Sequence, residues 1–211
     1  MLGPPPELTS WVSLIKDAVT GCAAVVGAIV AVRGLNAWRQ QLKGKTDYEL
    51  ARKLLKASYK VREEIRSVRH PAIWSSEAVA AEKEVKIEED RLKENPNAAR
   101  ACAVYQVRWN RLAEAITELE AEAFEAEVSW GGPAKVKLAE LLKLVAMLRL
   151  AVSQQIEAMI DDSSHARRRN NEIENIVYDT SEPSKPDDFA LKVQAAISAI
   201  EDFLRPHLGS R

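Results

Sequence analysis

The chain has 211 residues, a net charge of −1 and two cysteines, Cys22 and Cys102. This near-neutral balance excludes a global electrostatic attraction to nucleic acid, and two distant cysteines exclude both a disulfide framework and a zinc-finger pattern. Ala, Glu, Lys, Leu and Arg dominate, and glycine is scarce, as in proteins built from long helices. The length allows one domain, or one domain with an anchor.

Residues 18–32 form an apolar run, AVTGCAAVVGAIVAV, that carries no charge. Crossing the hydrocarbon of a bilayer takes about 20 residues, and the run reaches that length if Lys16 and Asp17 lie at the interface. Trp11 and Trp38 would then bracket the span at the two interfaces, where indole rings prefer to lie. A buried core helix is the main alternative. A cleaved signal peptide fits poorly, because no basic residue precedes the run. The run therefore predicts one transmembrane helix.

The charges that flank the run predict its orientation. Only Glu7, Lys16 and Asp17 are charged before it, whereas four basic residues follow it before any acidic one: Arg33, Arg39, Lys43 and Lys45. The basic side of a span stays in the cytoplasm, so we expect the N-terminus outside and residues 38–211 inside a bacterial plasma membrane. The same four residues are candidates for contact with anionic lipid, which makes membrane lipid a predicted partner.

Small residues recur every four positions within the run, at Ala23, Gly27 and Ala31. This spacing allows two membrane helices to approach closely, although small residues are common in any membrane helix. Self-association through this ridge is therefore a hypothesis.

The remaining chain shows the periodicity of helices. In residues 38–69 the apolar positions recur at three- and four-residue steps and share one helix face: Leu50, Leu54, Ala57, Val61, Ile65 and Val68. His70-Pro71 should end this helix, and the sequence is compatible with a helix that runs on directly from the span. Residues 77–94 predict a solvated, charged helix, with Ser75 or Ser76 as its cap and Asn95-Pro96 as its stop.

The clearest pattern is a heptad seam spaced 4-3-4-3-4-3-4, at Tyr105, Trp109, Leu112, Ile116, Leu119, Ala123, Ala126 and Trp130. It predicts a helix over residues 98–128. Gly131-Gly132-Pro133 then predicts a sharp turn, and a similar pattern predicts a second helix over 134–160. Two long seams joined by a short turn indicate an antiparallel, coiled-coil-like hairpin. Its seam either forms the core of one chain or offers a surface to a partner through Trp109, Leu112, Ile116 and Leu119.

Residues 161–186 are polar and predict a linker containing one or two helical turns. A last helix is expected over 187–204, capped by Asp187 or Asp188, with Phe189, Val193, Ala196, Ile197, Ile200 and Leu204 on its apolar face. The predicted fold is all-α: a tail and transmembrane anchor over 1–37, and an elongated antiparallel helical bundle over 38–211.

Charge is unevenly distributed between two of these helices. Residues 36–70 hold ten basic and four acidic side chains, whereas residues 114–127 hold six acidic side chains and no basic one. The simplest interpretation is that the basic and acidic helices face each other. Nucleic-acid binding is disfavoured, because few aromatic residues are interleaved with the basic ones. A second basic cluster, His165 with Arg167 to Arg169, is most simply a solvated linker.

No catalytic, metal or cofactor constellation is visible in the sequence. The three histidines lack ligand partners at helical spacing, and no glycine-rich phosphate loop is present. The adjacent acid pairs, such as Glu63 with Glu64, point to different sides of a helix and do not converge. We therefore expect no enzyme activity, no cofactor and no small-molecule substrate.

Residues 38–66, WRQQLKGKTDYELARKLLKASYKVREEIR, directly follow the apolar run. Together with Arg108-Trp109, the Trp130-Gly131 turn and the ending IEDFLRPHL over 200–208, this segment resembles a group of uncharacterised bacterial proteins with one membrane helix and a helical cytoplasmic domain. The resemblance covers most of the chain and implies a location in the inner membrane. It implies no activity and no functional residues.

Two functions follow as hypotheses. The first is a membrane-tethered interaction or scaffold module that binds a protein partner or a second copy of itself. The second is a membrane-active effector, of the cell-suicide or phage-defence type, whose assembled spans disturb the bilayer. Lys16 and Asp17 near the outer end of the span favour the second, because charge within a membrane is usually functional.

Overall fold

The computed structural model describes the backbone of residues 6–86, 95–160, 170–179 and 187–209, with side chains for 16, 19–86, 95–157, 173–179 and 187–209. Within these ranges the protein contains helices and no strand. The helices are α1 Pro6–Arg69, α2 Ser75–Val85, α3 Pro96–Trp130, α4 Pro133–Ile160, α5 Asn170–Val177 and α6 Asp188–Leu204. A 3₁₀ turn, Arg205–His207, follows α6. The all-α prediction is confirmed.

The chain divides into two compact units, Met1–Thr46 and Asp47–Arg211. In the first unit, α1 is long and apolar enough to cross a membrane: a window of it near the N-terminus has a mean hydropathy of 1.6 and is 0% buried. Signal sequences near an N-terminus meet the same criteria of length and composition. The side chains of Trp11 and Asp17, which were assigned to one interface, lie outside the described residues.

The helix that contains the apolar run is uninterrupted as far as Arg69, as the sequence suggested. It ends immediately before His70-Pro71, where the proline disfavours helical geometry at the preceding residue. In the second unit, the predicted apolar face of this helix is buried without exception, from Leu50 to Val68. The period of 3.6 residues therefore located the core face of α1 correctly.

The second unit is built around one main hydrophobic core, to which α1, α3, α4, α5 and α6 all contribute. Leu54, Leu112, Leu119, Leu141 and Leu148 are among its largest fully buried side chains. A tight turn joins α3 to α4, and Gly131 adopts a φ of +84°, which favours glycine because it carries no Cβ. Pro133 then begins α4, where its missing N–H costs nothing.

Two predictions about α2 were wrong. The helix ends at Val85 and not at Glu94, because Lys86 adopts a left-handed conformation with φ of +50°. Neither Ser75 nor Ser76 caps it: the N-cap position is Trp74, which makes no side-chain cap hydrogen bond. The helix is also less solvated than predicted, since Ala78 and Ala81 pack with Ala103, Val104 and Val107 in a second, smaller core. Residues 87–94 lie outside the described residues.

Asn95-Pro96, which was predicted to stop one helix, begins the next. The Asn95 side chain accepts a hydrogen bond from the Ala98 N–H at 3.1 Å, and Pro96 occupies the first helical turn of α3. An asparagine followed by proline suits a helix start because the side chain satisfies a free N–H and the proline presets φ.

The segment 161–186 contains the two-turn helix α5, in agreement with the predicted linker. The remainder of that segment, including His165 and Arg167 to Arg169, lies outside the described residues apart from residues 178 and 179. The final helix is capped as predicted: Asp187 accepts the Ala190 N–H at 2.7 Å. Its predicted apolar face, from Phe189 to Leu204, is buried.

Candidate functional site

The residues proposed from sequence for membrane contact and self-association within α1 are all exposed. Ala23, Gly27 and Ala31 lie on the uncovered surface of the apolar segment, and a Cβ added at Gly27 would meet nothing within 4 Å. The basic residues that follow are exposed as well: Arg33, Arg39, Lys43 and Lys45. The described apolar and basic side chains of the first unit are therefore exposed alike.

The residues proposed from the α3 seam lie in the second unit. Leu112 and Leu119 are 0% exposed and belong to the core of one chain, while Trp109 and Ile116 are partly buried against that core. A partner cannot reach the two leucines while the second unit is folded. Of the two alternatives for this seam, its burial matches the core of a single chain.

The basic helix and the acidic helix meet at one described ion pair. Lys60 Nζ on α1 lies 2.7 Å from Glu118 Oε2 on α3. The hydrogen bond raises the pKa of Lys60 and lowers that of Glu118. Both side chains are about half exposed, so solvent screens the ion pair. The pair therefore helps to set the register of α1 against α3 more than it stabilises the fold.

An aromatic cluster fixes the same two helices at the other end of their contact. Trp130, the last residue of α3, donates from Nε1 to Asp47 Oδ1 at 3.0 Å. Its ring stacks on His207 with centroids 4.0 Å apart and meets Phe203 edge-on at 6.2 Å. Together with the Lys60–Glu118 pair, this contact shows that α1 and α3 run antiparallel within the second unit.

Two arginines are buried in the second unit, and the sequence analysis singled out neither of them for a role. Arg69, the last residue of α1, is 2% exposed, and Arg108 of α3 is 3% exposed. A buried charge is tolerated only where it is paired and hydrogen-bonded. Sequence patterns miss such residues because their partners are carbonyl groups of distant segments.

Arg69 holds the chain between α5 and α6. Its Nε donates to the Ile176 carbonyl at 2.7 Å, and its Nη2 lies within 2.9 Å of the Asn175 and Tyr178 carbonyls. The same nitrogen is 2.8 Å from Asp187 Oδ2, the carboxylate that caps α6. The Arg69 carbonyl in turn accepts the Asp179 N–H at 2.9 Å. The end of α1 is thereby joined to both later helices.

Arg108 holds the loop between α1 and α2. It binds Glu77 through two hydrogen bonds of 2.8 Å, from Nε to Oε1 and from Nη2 to Oε2. It also donates to the carbonyls of His70 and Ala72, each at 2.8 Å. One side chain of α3 thus fixes both the loop and the first turn of α2.

The loop and its neighbours enclose a groove of about 860 Å³. Arg66, His70 and Trp74 line it from α1 and the loop, and α2 and α3 contribute Glu84 and Arg111. Trp74 is 66% exposed, which is unusual for so large an aromatic ring. Tryptophan, tyrosine and arginine are enriched among the residues that contribute most to affinity at protein interfaces.

Glu77, which lines the groove, should make the free energy of unfolding depend on pH. Its hydrogen bonds to Arg108 hold the pKa of Glu77 below its ordinary value of 4.5. A carboxyl with a lowered folded-state pKa contributes stability above its unfolded pKa and loses that contribution as the pH falls through the folded value. We therefore expect the free energy of unfolding to decrease as the pH falls below about 4.5.

Denaturant unfolding over a series of pH values measures this effect in the wild type and in Glu77→Gln. The variant should be less stable at neutral pH and show a shallower decline on acidification. Glu84→Gln, an exposed position on the same helix, is the control and should follow the wild-type profile. Parallel acid profiles for wild type and Glu77→Gln would show that Glu77 is not the group that causes the loss of stability on acidification.

No group of three or more His, Cys, Asp or Glu side chains in the described ranges is arranged to hold a metal ion. Comparison with known proteins finds no matching family model, no matching curated protein and no matching solved structure.

Proposed function

We propose that the protein is a membrane-anchored helical interaction module, in which α1 supplies both the anchor and part of the bundle core. One observation carries the proposal: the apolar window of α1 is 0% buried, whereas the same helix is buried at Leu54, Val61 and Val68. A core helix of a soluble protein would bury its apolar window, and lipid is the environment that an unburied window of this hydropathy favours.

The exposed basic residues after the apolar run support a defined orientation. Arg33, Arg39, Lys43 and Lys45 follow the run without an intervening acidic residue. We infer that this side faces the cytoplasm of a bacterial cell and that the four residues contact anionic headgroups of the inner leaflet.

The groove around Trp74 is the surface that best fits a protein partner. It combines concavity, an exposed aromatic ring and arginines at its edge, and Arg108 holds the backbone of its loop in place. A surface that is ordered before binding loses less conformational entropy when a partner docks. An interaction role for the second unit rests on this feature.

We also infer that α3 and α4 pack as a coiled-coil-like hairpin. The spacing is seven residues between Leu112 and Leu119 on α3 and again between Leu141 and Leu148 on α4. All four side chains are buried in the same core. A repeat of seven keeps such side chains on one seam between two helices.

Membrane topology tests the anchor. One reporter that is active only in the cytoplasm and one that is active only outside it are fused to the C-terminus, and the cells are fractionated. We expect the protein in the membrane fraction with only the cytoplasmic reporter active. A soluble protein would refute the anchor, and an active external reporter would refute the orientation.

A charge placed within the run provides a matched control. Val26→Arg should reduce the share of protein in the membrane, because arginine at the centre of a span costs about 2.5–3.5 kcal/mol of insertion free energy. Thr46→Arg, outside the run on the same helix, should leave that share unchanged.

The membrane-active effector is the second candidate, and exposed Lys16 next to the apolar run is the observation that favours it. The same purified protein distinguishes the two functions when it is reconstituted into dye-loaded liposomes. Dye release would favour the effector, whereas intact liposomes containing inserted protein would favour the interaction module.

A further inference from the structure

Lipid would cover the apolar run of α1. Beyond that run, α1 continues to expose apolar side chains. Every described side chain from Val19 to Thr46 is exposed. Leu35, Trp38 and Leu42 are 47%, 59% and 52% exposed, and they follow the last residue of the uncharged run, Val32. Isolated apolar side chains on a surface need no explanation, but an aligned series of large ones indicates a surface that binds something.

These residues continue a heptad that begins inside the run. The positions are spaced 4-3-4-3-4, and we call them the α1 seam: Ala24, Ala28, Ala31, Leu35, Trp38 and Leu42. A repeat averaging 3.5 residues keeps side chains facing a second helix along its whole length. Lipid imposes no such period, because it surrounds a helix on every side.

The size of the seam residues changes where the environment changes. Inside the run they are alanines, and beyond Arg33 they are leucine, tryptophan and leucine. Between helices in lipid, small residues give close contact, whereas in water large apolar residues give the driving force for association. The seam therefore has the composition that a helix pair needs on both sides of the membrane boundary.

The charges around the seam are compatible with an identical, parallel helix. With Ala28, Leu35 and Leu42 at position a and Ala31 and Trp38 at position d, Arg33, Arg39 and Lys43 fall at positions f, e and b. Lys45 falls at the next d position, one turn beyond Leu42, and the seam ends there. In a parallel pair, position e faces position g of the other helix, and Arg39 would face Gly34, which is uncharged. Between Ala24 and Leu42, two copies inserted with the same orientation would thus meet without like-charge repulsion across the seam.

We propose that two copies of this chain associate in parallel through the α1 seam, from the membrane segment into the region just beyond it. This inference rests on the proposed membrane anchor and specifies the partner of the exposed α1 surface as a second copy. The seam is distinct from the ridge of Ala23 and Gly27, which lies on a neighbouring face of the same helix and shares only Ala31 with it.

Disulfide cross-linking tests the seam directly. In a chain whose own cysteines are replaced (Cys22→Ser and Cys102→Ser), single cysteines are introduced as Leu35→Cys or Leu42→Cys on the seam. Ala37→Cys and Gln40→Cys are the controls, because they fall at positions c and f and lie between the two seam positions along the helix axis. Differences in membrane depth therefore cannot produce the expected pattern.

We expect several-fold more cross-linked dimer at Leu35→Cys and Leu42→Cys than at the two control positions. The difference should persist when the protein is reconstituted with more lipid, which suppresses cross-links from random collision. Equal cross-linking at all four positions, or none, in protein that floats with liposomes would overturn the seam and would leave the anchor standing. Protein that does not float would overturn the anchor, and the cross-linking ratio in the soluble fraction would then decide the seam independently.

Discussion

Replacing Arg69 with methionine should lower the free energy of unfolding by about 3–5 kcal/mol, which is the range for breaking a buried ion pair by removing one partner. Arg69 is 2% exposed and donates to three carbonyl groups and to Asp187. Methionine keeps much of the side-chain volume but provides no donor. The three carbonyls and the carboxylate then lose a hydrogen bond in a site that water reaches poorly.

The effect should be largest where Arg69 holds the backbone. Denaturant unfolding of the full chain in detergent measures the loss of stability, and hydrogen exchange at residues 173–179 measures local opening of α5. Arg69→Lys should recover only part of the stability, because an ammonium group cannot reproduce the planar fork that reaches carbonyls on both sides.

Arg66→Met is the matched control for this prediction. Arg66 lies one turn earlier on α1, its side chain is 62% exposed, and its ion pair with Glu63 is 3.3 Å long. Its loss should change the free energy of unfolding by no more than about 0.5 kcal/mol. Equal effects of the two substitutions would show that Arg69 is not the residue that joins α1 to α5 and α6.

Replacing Arg108 with methionine should cost a similar amount, about 3–5 kcal/mol, for the same reason. Arg108 is 3% exposed, and its four hydrogen bonds of 2.8 Å reach Glu77 and the carbonyls of His70 and Ala72. Without them, the loop before α2 loses its fixed geometry, and the groove around Trp74 loses its shape. Trp74 fluorescence cannot be separated from that of four other tryptophans, so the local effect is best followed by hydrogen exchange in residues 70–85.

The partner residue gives a graded comparison. Glu77→Gln should destabilise less than Arg108→Met, because Arg108 would keep its two bonds to backbone carbonyls. Arg111→Met, an exposed position one turn further along α3, is the control and should be close to neutral. If Glu77→Gln were as destabilising as Arg108→Met, the two bonds to carbonyl groups would contribute little to stability. Arg108 would then not hold the loop through them.

The sequence predicted most of the helices because helix position depends on local chemistry. Proline and glycine mark the ends at Pro71 and at Gly131, since each restricts or permits particular backbone angles regardless of the surroundings. The apolar period of α1 and α6 identified their buried faces, because a helix must direct one face to the core. At Asn95-Pro96 the sequence indicated only a stop, and the structure shows that this pair also caps and begins α3.

The sequence by itself determined an all-helical chain, an apolar segment near its N-terminus and the core faces of α1 and α6. These features depend on composition and on a period that repeats within a single element. The tertiary structure alone decided that Arg69 and Arg108 are buried, that Leu112 and Leu119 lie in the core of one chain, and that a groove forms beside Trp74. Each of these depends on groups that are distant in sequence, and an arginine that binds a backbone carbonyl leaves no residue pattern at the position of its partner.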